Sequence, residues 1–133
     1  MYFLEGHAVF GDLAEQALRV VQEGQVEALL SSVGLMELLV RPLAEGRPDV
    51  ADEHEAALDR VTHLRIVPFN GEAHRRAAQL RAKYGLRPPD ALLMGSALAE
   101  GATAYVTNDT RLRAVDELMV ILLSDFALKE GAR

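Results

Sequence analysis

The sequence predicts an α/β fold, a parallel β-sheet covered by helices on both faces. Two observations lead there. Short apolar runs of strand length alternate along the chain with longer stretches whose apolar residues recur at helical spacing. The short runs, such as TAYVT and LMVILL, are continuously apolar rather than alternating, as strands covered on both sides require. The 133 residues contain no internal repeat, low-complexity tract or linker, so one domain over 1–133 is expected.

Taken in order, Met1 to Phe10 (MYFLEGHAVF) reads as the last turn of a preceding element, because Glu5-Gly6-His7 breaks the apolar run. Asp12 caps a helix from about Leu13 to Glu23, and Gly24 ends it. Val26 to Ser32 is a strand. A helix from about Gly34 to Leu43 follows, interrupted by Pro42. After the loop Glu45-Gly46-Arg47-Pro48, Asp49 opens a charged helix to about Thr62. Leu64 to Phe69 is a strand, and Gly71 to Tyr84 is an Arg-rich amphipathic helix closed by Gly85. Pro88-Pro89 start the next helix and Gly101 stops it. Its residues are small and apolar on every side, so it should be buried. Thr103 to Thr107 is a strand, Asn108-Asp109 begin a short helix to about Val115, Leu118 to Leu123 is the last strand, and Asp125 to Arg133 is a tail.

Composition narrows the functional classes. With 50% hydrophobic and 26% charged residues, the chain is neither a disordered tail nor a membrane protein. No apolar run approaches the roughly 20 residues of a membrane span. No basic segment followed by an apolar core opens the chain, so a cytoplasmic location is expected. The absence of cysteine excludes disulfides, thiol nucleophiles and thiolate metal sites. A net charge of −6 argues against a broad nucleic-acid-binding face but leaves room for a local basic patch.

Three acids stand out by context. Glu37 lies inside an apolar helix, where a carboxylate is costly to desolvate unless it is paired or bound to metal. Its ordinary explanation is an ion pair with Arg41 at i+4. Asp90 sits in the first turn of the Pro88-Pro89 helix, where the ordinary reading is a cap or a first-turn acid, and Asp109 stands at a strand end before a short helix, where it is an N-cap. All three border one end of the predicted sheet, where parallel α/β folds place their ligands. Carboxylates gathered there call for a hard divalent cation, Mg²⁺ or Mn²⁺. His7, His54, His63 and His74 lack metal-ligand spacing, and neither a phosphate loop nor a nucleophile elbow is present. The most basic stretch, His74, Arg75, Arg76, Arg81, Lys83 and Arg87, precedes Asp90. It reads as an RNA-phosphate stripe, a solvated helix face or a surface for an acidic partner.

The motifs carry a family resemblance. Glu37 in MELLVRPL, Asp90 in LRPPDALLMGSALAEGA and Asp109 in VTNDTRL resemble the second, third and fourth acidic positions of PIN-domain ribonucleases, most closely the VapC-type toxins of prokaryotic toxin–antitoxin pairs. The resemblance spans essentially the whole chain. It implies a three-layer α/β/α sandwich, usually dimeric, whose acids bind Mg²⁺ or Mn²⁺ and cleave RNA, and a VapB-type antitoxin that blocks the site. It implies Thr107 and Asn108 as supports of Asp109. In the basic stretch ahead of Asp90, Arg87 and Arg81 are the residues expected to bind substrate. The family's first acid is an Asp ending the central first strand. Tyr2-Phe3-Leu4-Glu5-Gly6-His7 resembles the helix after that strand, which places strand and Asp before Met1. Glu5 and Asp12 then fall past the matching position. On this reading the strands at Val26–Ser32 and Thr103–Thr107 lack the partner between them, which predicts poor solubility or strand sharing. A metal-dependent ribonuclease is the leading expectation, and a catalytically impaired module that keeps antitoxin or RNA binding is the alternative.

Overall fold

The chain is described by a computed structural model over residues 1–6, 19, 21–24 and 26–125. Among these residues five strands, β1 (Tyr2–Leu4), β2 (Ala28–Ser31), β3 (Leu64–Val67), β4 (Ala104–Thr107) and β5 (Met119–Leu122), form one sheet in the order β3-β2-β1-β4-β5. Every pairing is parallel. The helices are α1 (Ser32–Ala44), α2 (Pro48–Asp59), α3 (Gly71–Tyr84) and α4 (Pro88–Ala99), with a short 3-10 turn at Thr110–Ala114. Most of the expected helix from Leu13 to Glu23, its cap Asp12, and the tail after Asp125 lie outside the described residues.

The first strand is not missing. Tyr2–Leu4 is the middle strand of the sheet, paired with β2 on one side and β4 on the other. Three residues suffice because backbone bonds extend the pairing at both ends. Thr103 N–H donates to the Met1 carbonyl (2.9 Å), Tyr2 N–H to the Glu27 carbonyl (2.8 Å), and Glu5 N–H to the Val106 carbonyl (3.0 Å). The strands at Val26–Ser32 and Thr103–Thr107 therefore have their partner, and the expected unpaired edges do not arise.

The pleat sends successive residues of each central strand to opposite faces. Phe3, Leu29 and Tyr105 pack under α3 and α4 with Leu80, Leu93, Met94 and Ala97. Leu4, Leu30 and Val106 pack on the other face with Leu38 of α1 and Leu58 of α2. The three layers are those expected. Phe3 and Tyr105 are in register, and their rings stack with centroids 5.8 Å apart.

Two close approaches set the helices. A Cβ on Gly95 would lie 2.7 Å from the Ala73 carbonyl and from the Ala77 amide, so α4 crosses α3 at backbone contact. That explains why α4 is built of small residues. A Cβ on Gly6 would lie 2.5 Å from the Gly34 carbonyl, so the end of β1 seats directly on the first turn of α1. Pro42 does not interrupt α1, which continues to Ala44 with Pro42 buried. It falls in the last turn, where its missing N–H removes a single intrahelical bond. Pro48, not Asp49, is the first residue of α2, and that helix ends at Asp59.

Candidate active site

Four carboxylates border the carboxyl end of the sheet. Glu5 follows β1, Asp109 follows β4, Glu37 lies in the second turn of α1 after β2, and Asp90 lies in the first turn of α4. Tyr105 lies in β4, two residues before Thr107. Its side chain is fully buried in β4. Burial, and then the negative charges of Glu5, Asp90, Glu37 and Asp109, push its hydroxyl well above the usual tyrosine range.

Thr107, buried at the end of β4, ties two of them together. Its hydroxyl donates to Glu5 Oε2 and accepts from the Asp109 backbone N–H (3.0 Å). Asn108 is exposed beside it. Glu5 is the acid that the sequence reading set aside. It is one residue past Leu4, which is in register with Val106, and so stands level with Thr107. Its signal was present in Tyr-Phe-Leu-Glu, an apolar run ending in an acid, but three residues are too few to show a strand period.

Asp90 is a first-turn acid rather than a helix cap. Arg87 occupies the cap position without a side-chain capping bond, and the Asp90 carboxylate instead accepts from Arg87 Nε (3.3 Å). Asp109 is a cap: its Oδ1 accepts from Arg111 N–H (2.9 Å) at the start of the 3-10 turn. It also holds the Arg111 guanidinium, through Nε at 3.0 Å and a terminal nitrogen at 2.6 Å. The Arg111 bond, more than any other contact, lowers the Asp109 carboxyl to about 2. The charge of Arg87 contributes to that lowering, while that of Asp90 helps hold Arg111 protonated, so the two pairs form one charge cluster. Arg41 does not turn back to Glu37; its Nε donates to Glu45 Oε1 (3.1 Å), and Glu37 is half-buried.

The basic stretch of α3 divides its work. Arg76 lies 3.6 Å from Glu72 and Lys83 3.5 Å from Glu117. Arg81 Nε donates to the Leu86 carbonyl (3.0 Å) and braces the loop into α4. Arg87 and Arg111 both line a cavity beside Asp90. Arg111 had no sequence signal, since an exposed arginine in a short turn is ordinary.

The carboxylate oxygens suit a hard cation such as Mg²⁺ or Mn²⁺. With Asp90 and Asp109 turned to their arginines, no three acidic or histidine side chains among the described residues stand close enough to hold one ion. A cation at this site would compete with Arg87 and Arg111 for the two aspartates.

The profile of the PIN domain matches residues 3–118. The chain belongs to the PIN-domain family. The match begins on β1, in agreement with that strand's central place. Nucleases of this family generally use divalent metal ions. Solved structures share the fold of this PIN domain. A toxin–antitoxin complex from Klebsiella pneumoniae superposes with a TM-score of 0.72 at 17% identity, over 92% of this chain and 98% of that one. A DNA-bound VapBC from Salmonella typhimurium gives 0.72 at 16% identity, over 92% and 97%. A member of the VapBC family of toxin–antitoxin systems from Mycobacterium tuberculosis gives 0.61 at 24% identity, over 90% and 94%. No curated protein sequence matches. None of the described helices is long and apolar enough to cross a membrane.

Proposed function

We propose that this PIN domain is a metal-dependent endoribonuclease of the VapC type, the toxin of a VapBC-type pair, and that Glu5 joins Glu37, Asp90 and Asp109 as the acids that hold Mg²⁺ or Mn²⁺. The observation that carries the reading is the place of these four acids around the carboxyl end of a parallel sheet, with Thr107 tying Glu5 to the Asp109 loop. A divalent ion supplies an acidified water and stabilises charge on the phosphoryl oxygens. The chain's own residues fix the geometry around it. Thr107 holds the Glu5 carboxylate against the Asp109 loop. Helix α1, seated on Gly6, presents Glu37. Arg87 and Arg111 supply guanidinium groups for the RNA phosphate beside the acids.

The alternative reading, a catalytically impaired module that retains antitoxin or RNA binding, was motivated by an absent first acid. Glu5 at the end of β1 removes that motive. A VapB-type antitoxin as partner, a homodimer and a cytoplasmic location belong to the same proposal, and the likeness to VapBC complexes supports the first of them. The test is cleavage of single-stranded RNA with and without Mn²⁺, together with Mn²⁺ calorimetry. Cleavage that needs the ion is expected. Asp90→Asn and Glu5→Gln should each lower it by more than the roughly 10–100-fold that loss of a metal's outer partner costs. A protein that neither binds Mn²⁺ nor cleaves RNA refutes the proposal.

A further inference from the structure

A cavity of about 240 Å³ opens beside Asp90, between the end of α3, the loop into α4 and the 3-10 turn. Its lining divides by chemistry. Tyr84, Leu86 and Leu112 give aromatic and apolar surface, and Arg87, Arg111 and Asp90 give charge. The walls are fixed before any ligand arrives. The Tyr84 hydroxyl donates to the Glu117 carboxylate and accepts from Asp116 N–H (3.1 Å). The Leu86 carbonyl is held by Arg81. Between them Gly85 takes a left-handed φ of 68°, which turns the chain out of α3.

These features suit one planar, polar-edged ring with an anion attached. The volume is below the roughly 300–1,000 Å³ of sites for drug-sized ligands. Nucleobases stack on aromatic side chains, and guanidinium groups bind phosphate through paired N–H donors. An unpaired base is splayed out far enough to enter such a cavity, and a base inside a duplex is not. We propose that the cavity binds the nucleobase of the single-stranded ribonucleotide next to the cleaved phosphodiester, with Arg87 and Arg111 on that nucleotide's phosphate. The placement next to a cut rests on the ribonuclease reading above. A cation held by Asp90 and Asp109 would displace Arg87 and Arg111 from them and leave both guanidinium groups for that phosphate.

The test has two arms. In the first, the metal-free chain is titrated with AMP, CMP, GMP, UMP and inorganic phosphate and followed by amide NMR. Nucleotides should shift Tyr84, Leu86 and Leu112, and the best of them should bind at least about tenfold more tightly than inorganic phosphate. Ala114→Trp, which fills the cavity, should remove that advantage. Arg111→Gln, a change at an exposed side chain, should weaken nucleotides and phosphate alike. In the second, random-sequence RNA is cut by the Mn²⁺-loaded wild type and by both variants, and the products are sequenced. A base preference at one nucleotide flanking the cut should flatten in Ala114→Trp. Inorganic phosphate binding as tightly as every nucleotide, or shifts away from these residues, overturns the base cavity while RNA cleavage still stands. Nucleotide binding in the cavity without any RNA cleavage overturns the ribonuclease reading, and with it the placement beside a cut.

Discussion

Truncating Phe3 to alanine tests whether Tyr2–Leu4 is the middle of the sheet. Phe3 is 0% exposed, in register with Leu29 and Tyr105, and stacked on the Tyr105 ring at 11°. A buried phenylalanine cut to alanine costs about 3–5 kcal/mol, because the sheet and α4 cannot collapse fully into the space. The lost ring pair accounts for about 0.5–1.5 kcal/mol of that. With a urea m value of about 1–3 kcal/mol per molar, the midpoint should fall by about 1–5 M. The loss is comparable to the roughly 5–15 kcal/mol that holds a domain folded, so Phe3→Leu, at about 1–2 kcal/mol, serves as the milder companion. Urea unfolding followed by far-UV circular dichroism reads both. Met119→Ala, at a site 56% exposed, is the reference and should stay within about 0.5 kcal/mol. If Phe3→Ala costs less than about 1 kcal/mol, residues 1–5 do not form the central strand, and the place of Glu5 in the site falls with it.

Two further predictions use the same readout. Gly6→Ala should destabilise by about 1–3 kcal/mol, because its Cβ would lie 2.5 Å from the Gly34 carbonyl and the loop would have to leave α1. Gly34→Ala should cost less than half as much, since its nearest contact is the Leu30 side chain at 3.3 Å, which can give; equal losses would refute the close approach of the two backbones. The third concerns acid. With the Arg111 bond as the largest cause, the Asp109 carboxyl is lowered from 3.8 to about 2 in the folded chain, so the stability it contributes is present above about pH 4 and is lost as pH falls through 2. After discounting for the solvent-exposed guanidinium, that contribution is about 1 kcal/mol. Arg111→Gln should return the Asp109 carboxyl toward 3.8 in a carbon-13 titration of the metal-free chain and flatten this part of the urea–pH profile. An unchanged titration would show that Arg111 is not its partner.

How much of this was legible in the sequence follows from where each signal resides. Helices α3 and α4 were readable because their signals are local: Gly85 and Gly101 at the ends, and Pro88-Pro89 at a start. β4 and Asp109 were readable because a whole apolar run precedes the acid. β1 was not. Its strand character comes from pairing with Ala28–Leu30 and Ala104–Val106, far away in the chain, and three residues carry no period of their own. Assigning Tyr2–Leu4 to a helix then removed Glu5 from the candidate acids. Pro42 misled in the opposite direction, because a break signal in the last turn costs one bond and leaves the helix standing. Tyr84 was invisible as a cavity wall, since the partners that fix it, Asp116 and Glu117, are 32 and 33 residues further on.

The site is asymmetric in a way that bears on how it works. Its negative groups are held from within and neutralised from without. Tyr105, fully buried with no hydrogen-bond partner for its hydroxyl among the described residues, keeps its proton and adds no further charge beneath the acids. Thr107 joins Glu5 to the Asp109 loop from a buried position. The Asp90 and Asp109 side chains are only 15% and 22% exposed, whereas their arginines are 66% and 67% exposed. Ion pairs with one partner in solvent contribute about 0–1 kcal/mol, so either arginine can swing away at small cost. The carboxylates cannot leave in the same way, because their backbones are set by β4 and by the packing of Gly95 on α3. Fixed anions with replaceable counter-ions are what a site needs if it is to exchange two guanidinium groups for a cation and then use those groups on a phosphate.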